Sequence, residues 1–128
     1  MDNLADIISS LNFLNLAQAR KRCLNDDEFY CELLQTFAEE SKLSILQQNY
    51  QQQDWYQYRM NVHTIKSSAA YIGADDLSQQ AKLLENAART EDLAYIKAKH
   101  DEFVAYYRQF ILRIKMALAK LDKVEAEV

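Results

Sequence analysis

The 128-residue sequence contains no proline and one glycine, Gly73. That scarcity excludes folds built on many tight turns, and it excludes the glycine-rich phosphate loop that an ATP-dependent kinase needs. The chain has only two cysteines, Cys23 and Cys31, and two histidines, His63 and His100. Cysteines spaced eight apart form neither a zinc pair nor a redox CxxC, so a reducing, cytoplasmic location is expected. No apolar run reaches the roughly 18 residues of a membrane span, and the start, with Asp2 and Asp6, lacks the cationic flank of a signal peptide. Fifteen Lys and Arg against nineteen Asp and Glu give a formal net charge of -4. A nucleic-acid partner is therefore not expected, because such binding depends on neutralising phosphates.

What is present is apolar spacing of three and four, the signature of one helix face. A first series runs Tyr30, Leu34, Phe37, Ser41, Ser44, Gln48 with Leu33 and Ile45 beside it, capped by Asn25 with Glu28 three residues on. A second runs Trp55, Tyr58, Val62, Ile65, Ala69, Ile72, opened by Asp54 and stopped by Gly73 at the C′ position. A third runs Leu77, Ala81, Leu84, Ala88 behind Asp75 and Asp76 in its first turn. The fourth starts from Thr90 and runs Leu93, Ile96, His100, Phe103, Tyr107, Phe110, Ile114, Ala117, Leu121. Residues Leu4 to Leu11 and Leu16 to Leu24, the latter capped by Asn15, form two shorter helices.

Short connections force neighbouring helices to alternate in direction. The expected fold is thus all-α: an antiparallel up-down-up-down four-helix bundle over residues 26–121, with short N-terminal helices in residues 1–24 covering one end. Residues 122–128 form a frayed tail, and residues 1–128 make a single domain. The Gln47 to Gln53 stretch is a polar turn.

The two histidines differ in the faces they occupy. His100 lies on the apolar stripe of the fourth helix and reads as a packed, hydrogen-bonded imidazole. His63 projects on the order of 135° from the centre of its helix's apolar arc and points outward. Its neighbours on that face are Arg59, Lys66, Ser67 and Ala70: two cations and two small side chains. Small neighbours leave room for a large partner, and the cations would compensate an anion placed on the ring. Two readings stand at this point: a phosphoryl acceptor, and a solvated basic stretch carrying a surface histidine.

The stretch Val62-His63-Thr64-Ile65-Lys66-Ser67-Ser68-Ala69-Ala70-Tyr71-Ile72-Gly73-Ala74, followed by Leu77 and Leu84-Glu85, strongly resembles the histidine-containing phosphotransfer (HPt) domain. Upstream, Tyr30-Cys31-Glu32-Leu33-Leu34 with Phe37 is similar to that family's second helix, so the resemblance covers roughly residues 16 to 118. Ser67 stands where the family often has Gly, and Val62 where it often has Ala. The resemblance implies that His63 is phosphorylated on Nε2 and that Lys66 sits beside the phosphoryl oxygens. Glu85, with Lys82 one turn before it, matches the family position that bonds the other imidazole nitrogen; on sequence alone it also reads as an exposed helix carboxylate. A carboxylate at Nδ1 would make Nε2 the nucleophile.

The expected function is a phosphorelay intermediate with no kinase activity of its own, taking a phosphoryl group from an aspartyl-phosphate receiver domain and passing it to another. Response-regulator receiver domains, with a hybrid sensor kinase upstream, are the implied partners. The chain is expected to act as a monomer, to bind no cofactor, metal or membrane, and to meet Mg²⁺ only on the receiver partner. Docking is assigned to Met60, Ala70 and the first helices. The alternative is a non-catalytic helical adaptor that docks a signalling partner through the His63 face. A di-iron bundle lacks its Glu-x-x-His motif. The basic end of the last helix, Arg108, Arg113, Lys115, Lys120 and Lys123, is read as cations favoured at a helix C-terminus rather than a membrane-binding segment.

Overall fold

A computed structural model describes residues 3–126 of the chain, with side chains described through residue 121. Among these residues there are seven helices and no strand: α1 (Leu4–Ser9), α2 (Leu16–Arg22), α3 (Asp27–Glu39), α4 (Leu43–Gln51), α5 (Trp55–Tyr71), α6 (Asp75–Arg89) and α7 (Leu93–Ala126). The bundle consists of α3 with α4, α5, α6 and α7. Its short connections, residues 52–54, 72–74 and 90–92, leave no room for crossovers.

Several boundaries follow the caps expected from sequence. Asn15 accepts from the Gln18 amide at the start of α2, and Asp54 accepts from the Gln57 amide at the start of α5. Others move by a residue or more. Leu24 and Asn25 both adopt positive φ to close the end of α2, so the extended backbone an N-cap needs is first available at Asp26, which caps α3 in place of Asn25. Thr90 closes α6 instead of opening α7, its hydroxyl donating to the Asn86 carbonyl at 3.0 Å. Asp92, two residues on, caps α7 by accepting from the Tyr95 amide at 3.1 Å.

The expected unbroken helix from Tyr30 to Gln48 is interrupted at residues 40–42. The Lys42 amide freed by the break donates to the Tyr107 hydroxyl of α7 at 2.9 Å, so the interruption leaves no orphan at that position. Beyond it the helix presents a different face. Leu46 and Asn49 point inward, whereas Ser44, Ile45 and Gln48, placed on or beside the stripe from sequence, are exposed. Asn49 is satisfied there by the Asn61 side-chain amide, which donates to it at 2.7 Å. α7 continues past Leu121 to Ala126, and residues 127–128 of the expected tail lie outside the described residues.

The inward stripe of α7 lies as expected, with Ile96, His100, Phe103, Tyr107, Phe110, Ile114 and Ala117 all buried. His100 stacks on Tyr50 of α4 at 3.8 Å between ring centroids, and a 3.0 Å hydrogen bond joins its Nδ1 to the Tyr58 hydroxyl of α5. It is the structural imidazole the sequence suggested. Arg113, in the basic end of α7, lies over the Phe13 ring at 3.9 Å. The side chain of Lys123 lies outside the described residues.

One end of the bundle is covered by α1 and α2, which bury Ile7, Ile8 and Ala19 against it. Their grip on the α5–α6 turn is direct. The Asn15 amide donates to the Gly73 carbonyl at 2.8 Å, and the Asn15 side chain donates to Asp75 at 2.9 Å. Gly73 has φ 87, and a Cβ built there would lie 2.6 Å from the Asn15 carbonyl oxygen. No L side chain meets both conditions without strain.

Gly73→Ala is expected to lose roughly 1–3 kcal/mol of stability in urea unfolding, from the left-handed backbone and the Asn15 contact together. A variant as stable as the parent would show that the turn relaxes freely. Burial pushes the His100 imidazole below its ordinary 6.5, against the opposing Asp101 charge. The unfolded chain therefore binds more protons below pH 6.5, and stability should fall as the pH drops from there. The fall should be shallower in His100→Gln when urea midpoints at pH 7.5 and 5.5 are compared.

Candidate functional site

The site is built on the α5–α6 hairpin. Small residues line this interface, among them Ala69 on α5 and Ala81 on α6, both fully buried. They let the helices approach closely enough for the Ser78 hydroxyl of α6 to donate to the Lys66 carbonyl of α5 at 2.8 Å. This bond holds the two helices in register one turn from His63.

His63 is on the outward face, as its projection required, with its side chain 54% exposed. One edge of the ring turns toward α6, where Nδ1 lies 2.9 Å from Glu85 Oε1. The other nitrogen, Nε2, has no hydrogen-bond partner among the described residues. Glu85 follows Ala81 by one turn on the inner face of α6 and is only 4% exposed. The reading of it as an ordinary exposed carboxylate is thereby corrected.

Lys66 shares this carboxylate. Its Nζ lies 2.7 Å from Glu85 Oε2, an ion pair at the distance of a charge-assisted contact. Burial, the largest single influence, pushes the Glu85 carboxyl up, but its contacts with Lys66 and His63 together outweigh burial and hold it below its ordinary 4.5. Glu85 is therefore ionised at neutral pH. An anion facing Nδ1 favours the proton on that nitrogen and leaves the Nε2 lone pair directed away from the protein.

The other residues singled out from sequence are dispersed around this centre. Arg59 is half-buried and lines a recess of about 370 Å³ with Trp55, Tyr56 and Arg89. Among the described residues, neither Arg59 nor the exposed Lys82 makes an ion pair. Met60 is 43% exposed. Ala70 is half-buried, and its carbonyl accepts from the Arg22 guanidinium of α2. Ser67 is exposed and forms part of the wall of a larger groove, about 530 Å³, between α3 and α5.

Two features escaped the sequence reading. Arg89 donates from Nη2 to Glu85 Oε1 at 3.2 Å, the oxygen that also holds His63. The i,i+4 spacing from Glu85 was the available signal. The groove beside Ser67, with Leu33 and Phe37 of α3 and Tyr71 of α5 in its walls, depends on how two distant segments pack and left no local trace. Among the described residues, no cluster of three His, Cys, Asp or Glu could hold a metal ion, and no helix is long and apolar enough to cross a membrane.

The geometry is testable without any partner. In ¹⁵N-detected spectra of the unaltered protein, neutral His63 is expected to carry its proton on Nδ1. Glu85→Ala removes the acceptor and should move the population toward the Nε2–H form that free imidazole side chains prefer. A His63 ring already protonated on Nε2 in the unaltered protein would remove the orienting role of Glu85.

Compared with known families, the chain matches the Hpt domain family model over residues 32–123, which takes in most of α3 and the helices after it through the bulk of α7. No curated protein and no solved structure matches it.

Proposed function

Because this chain belongs to the Hpt domain family, whose members carry out histidine phosphotransfer in two-component signalling and interact with response-regulator receiver domains, we propose that His63 is its phosphoryl-accepting residue. The observation that supports this reading most directly is the pairing of a half-exposed imidazole with a buried, ionised carboxylate on its Nδ1. That pairing leaves Nε2 as the available nucleophile.

In the proposed relay, the donor is an aspartyl-phosphate on a receiver domain, itself supplied by a hybrid sensor kinase. The Nε2 lone pair attacks phosphorus in line, the P–O bond breaks, and the electron pair leaves on the receiver's carboxylate. The reverse step passes the group to a second receiver. Lys66 offsets charge on the phosphoryl oxygens, and Glu85 stabilises the cationic ring formed in the transfer. Arg59 and Lys82 add positive potential around the site, while the Ser67 hydroxyl is near enough in sequence to donate to a phosphoryl oxygen. Mg²⁺ and the catalytic acids belong to the receiver, so this chain needs no cofactor and no kinase activity of its own.

The receiver docks over the groove between α3 and α5, whose wall includes Thr64, next to His63, and Ser67, with Met60, Ala70 and the first helices as further docking contacts. A transient contact of this kind buries a modest area, consistent with a monomer that exchanges partners in the cytoplasm.

His63→Gln is expected to abolish labelling by a phosphorylated receiver while leaving far-UV helicity and the melting transition unchanged. The label on the unaltered protein should be acid-labile and stable in alkali, as a phosphoramidate is. Persistent labelling of the variant would place the nucleophile elsewhere, and docking without any labelling of the parent would instead favour a helical adaptor.

A further inference from the structure

We infer that Arg89 is a positioning residue for this chemistry: it holds the Glu85 carboxylate against Nδ1 of His63 when Lys66 leaves that carboxylate for the transferred phosphoryl group. The inference rests on the function proposed above and adds a residue and an exchange of partners to it.

The two oxygens of Glu85 are not equivalent. Oε1 is shared by His63 Nδ1 at 2.9 Å and Arg89 Nη2 at 3.2 Å. Oε2 is buried, and among the described residues its one ion-pair partner is the Lys66 ammonium at 2.7 Å. In the resting state, therefore, Lys66 is committed to Glu85. Drawing its ammonium toward a phosphoryl group on Nε2 weakens that contact, the one ion pair Oε2 makes among the described residues. A buried carboxylate oxygen left so is costly, and the carboxyl would tend to take up a proton and cease to support the ring.

Arg89 can prevent this. It lies one turn beyond Glu85 on α6, its side chain is 55% exposed, and its guanidinium offers five donors in a planar fork. One arm already reaches Oε1, and the other makes only a long 3.4 Å contact from Nη1 to the Asn86 side chain. Exchanging that weak contact for Oε2 would give the paired geometry that arginine and carboxylate favour. Before transfer Arg89 is a surplus cation on Glu85. After transfer it is the cation that remains.

The charges balance on this scheme. Neutral His63 with Glu85, Lys66 and Arg89 carries one net positive charge. Transfer forms the Nε2–P bond, breaks the P–O bond and leaves the electron pair on the partner's carboxylate. The proton stays on Nδ1, facing Oε1. Gain of the PO₃⁻ unit brings the cluster to neutrality, whereas without Arg89 it would end with a net negative charge in a partly buried place.

The test uses the full chain and potassium phosphoramidate, a small donor that needs no docking, with phosphohistidine formation followed by ³¹P spectroscopy. Arg89→Ala is expected to slow labelling about tenfold without lowering the melting temperature, and Arg89→Lys to recover most of the rate. If Arg89 acts by releasing Lys66, its loss should add little to Lys66→Ala in the double variant. Labelling of Arg89→Ala at the parent rate, or losses that multiply in the double variant, would overturn the inference while leaving His63 as acceptor. Failure of the unaltered protein to label on His63 with either this donor or a phosphorylated receiver would overturn the proposed function, and this inference with it.

Discussion

Glu85 is ionised and almost sealed between α5 and α6, and a charge in that position is tolerated only while donors reach it. The donors come from both helices: His63 and Lys66 from α5, Arg89 from α6 itself. The relative placement of the two helices is therefore set as much by this carboxylate as by the alanines packed around it. Sliding α6 by one turn, about 5.4 Å, would carry the carboxylate away from the imidazole and leave a buried anion without partners. The Ser78 bond to the Lys66 carbonyl and the short turn at Gly73 act against such a slip from either side.

The rest of the bundle gives this hairpin a rigid backing. α7 packs along α3, α4 and α6, and its aromatic stripe fills the interior opposite the site. His100 and His63 show how position on a helix decides what an imidazole does. His100, stacked on Tyr50 and bonded to Tyr58, is kept neutral by burial. His63 keeps half its surface in solvent and borrows only a carboxylate from the protein. The same side chain thus packs the core in one place and offers a nucleophile in the other.

Much of this was legible in the sequence because it depends on local periodicity. The faces of α5, α6 and α7, the Asp54 cap, the Gly73 stop and the outward position of His63 all follow from spacing within single helices. The errors arose where non-local contacts decided the outcome. The break at residues 40–42 is stabilised by a hydroxyl from Tyr107, far along the chain, and the polar residues assigned to that stripe gave little reason to keep the helix continuous. Asn25 and Thr90 were reasonable caps by residue type, but positive φ at Leu24, Asn25 and Glu91 shifted both helix starts. Whether Glu85 was buried could not be decided from its own helix, since its burial is created by α5. The importance of Arg89 depends in turn on that burial.

The family match begins at residue 32, yet four contacts that steady the α5–α6 turn come from earlier in the chain. Asn15 holds the Gly73 carbonyl and the Asp75 side chain, Arg22 reaches the Ala70 carbonyl, and the Tyr30 hydroxyl donates to the Ile72 carbonyl at 2.7 Å. The stretch of chain that heredity marks out as a module is consequently smaller than the stretch that behaves as one mechanical body. Transplanting only the recognised segment into another protein would carry over every reacting group while leaving behind the clasp that keeps their two helices aligned.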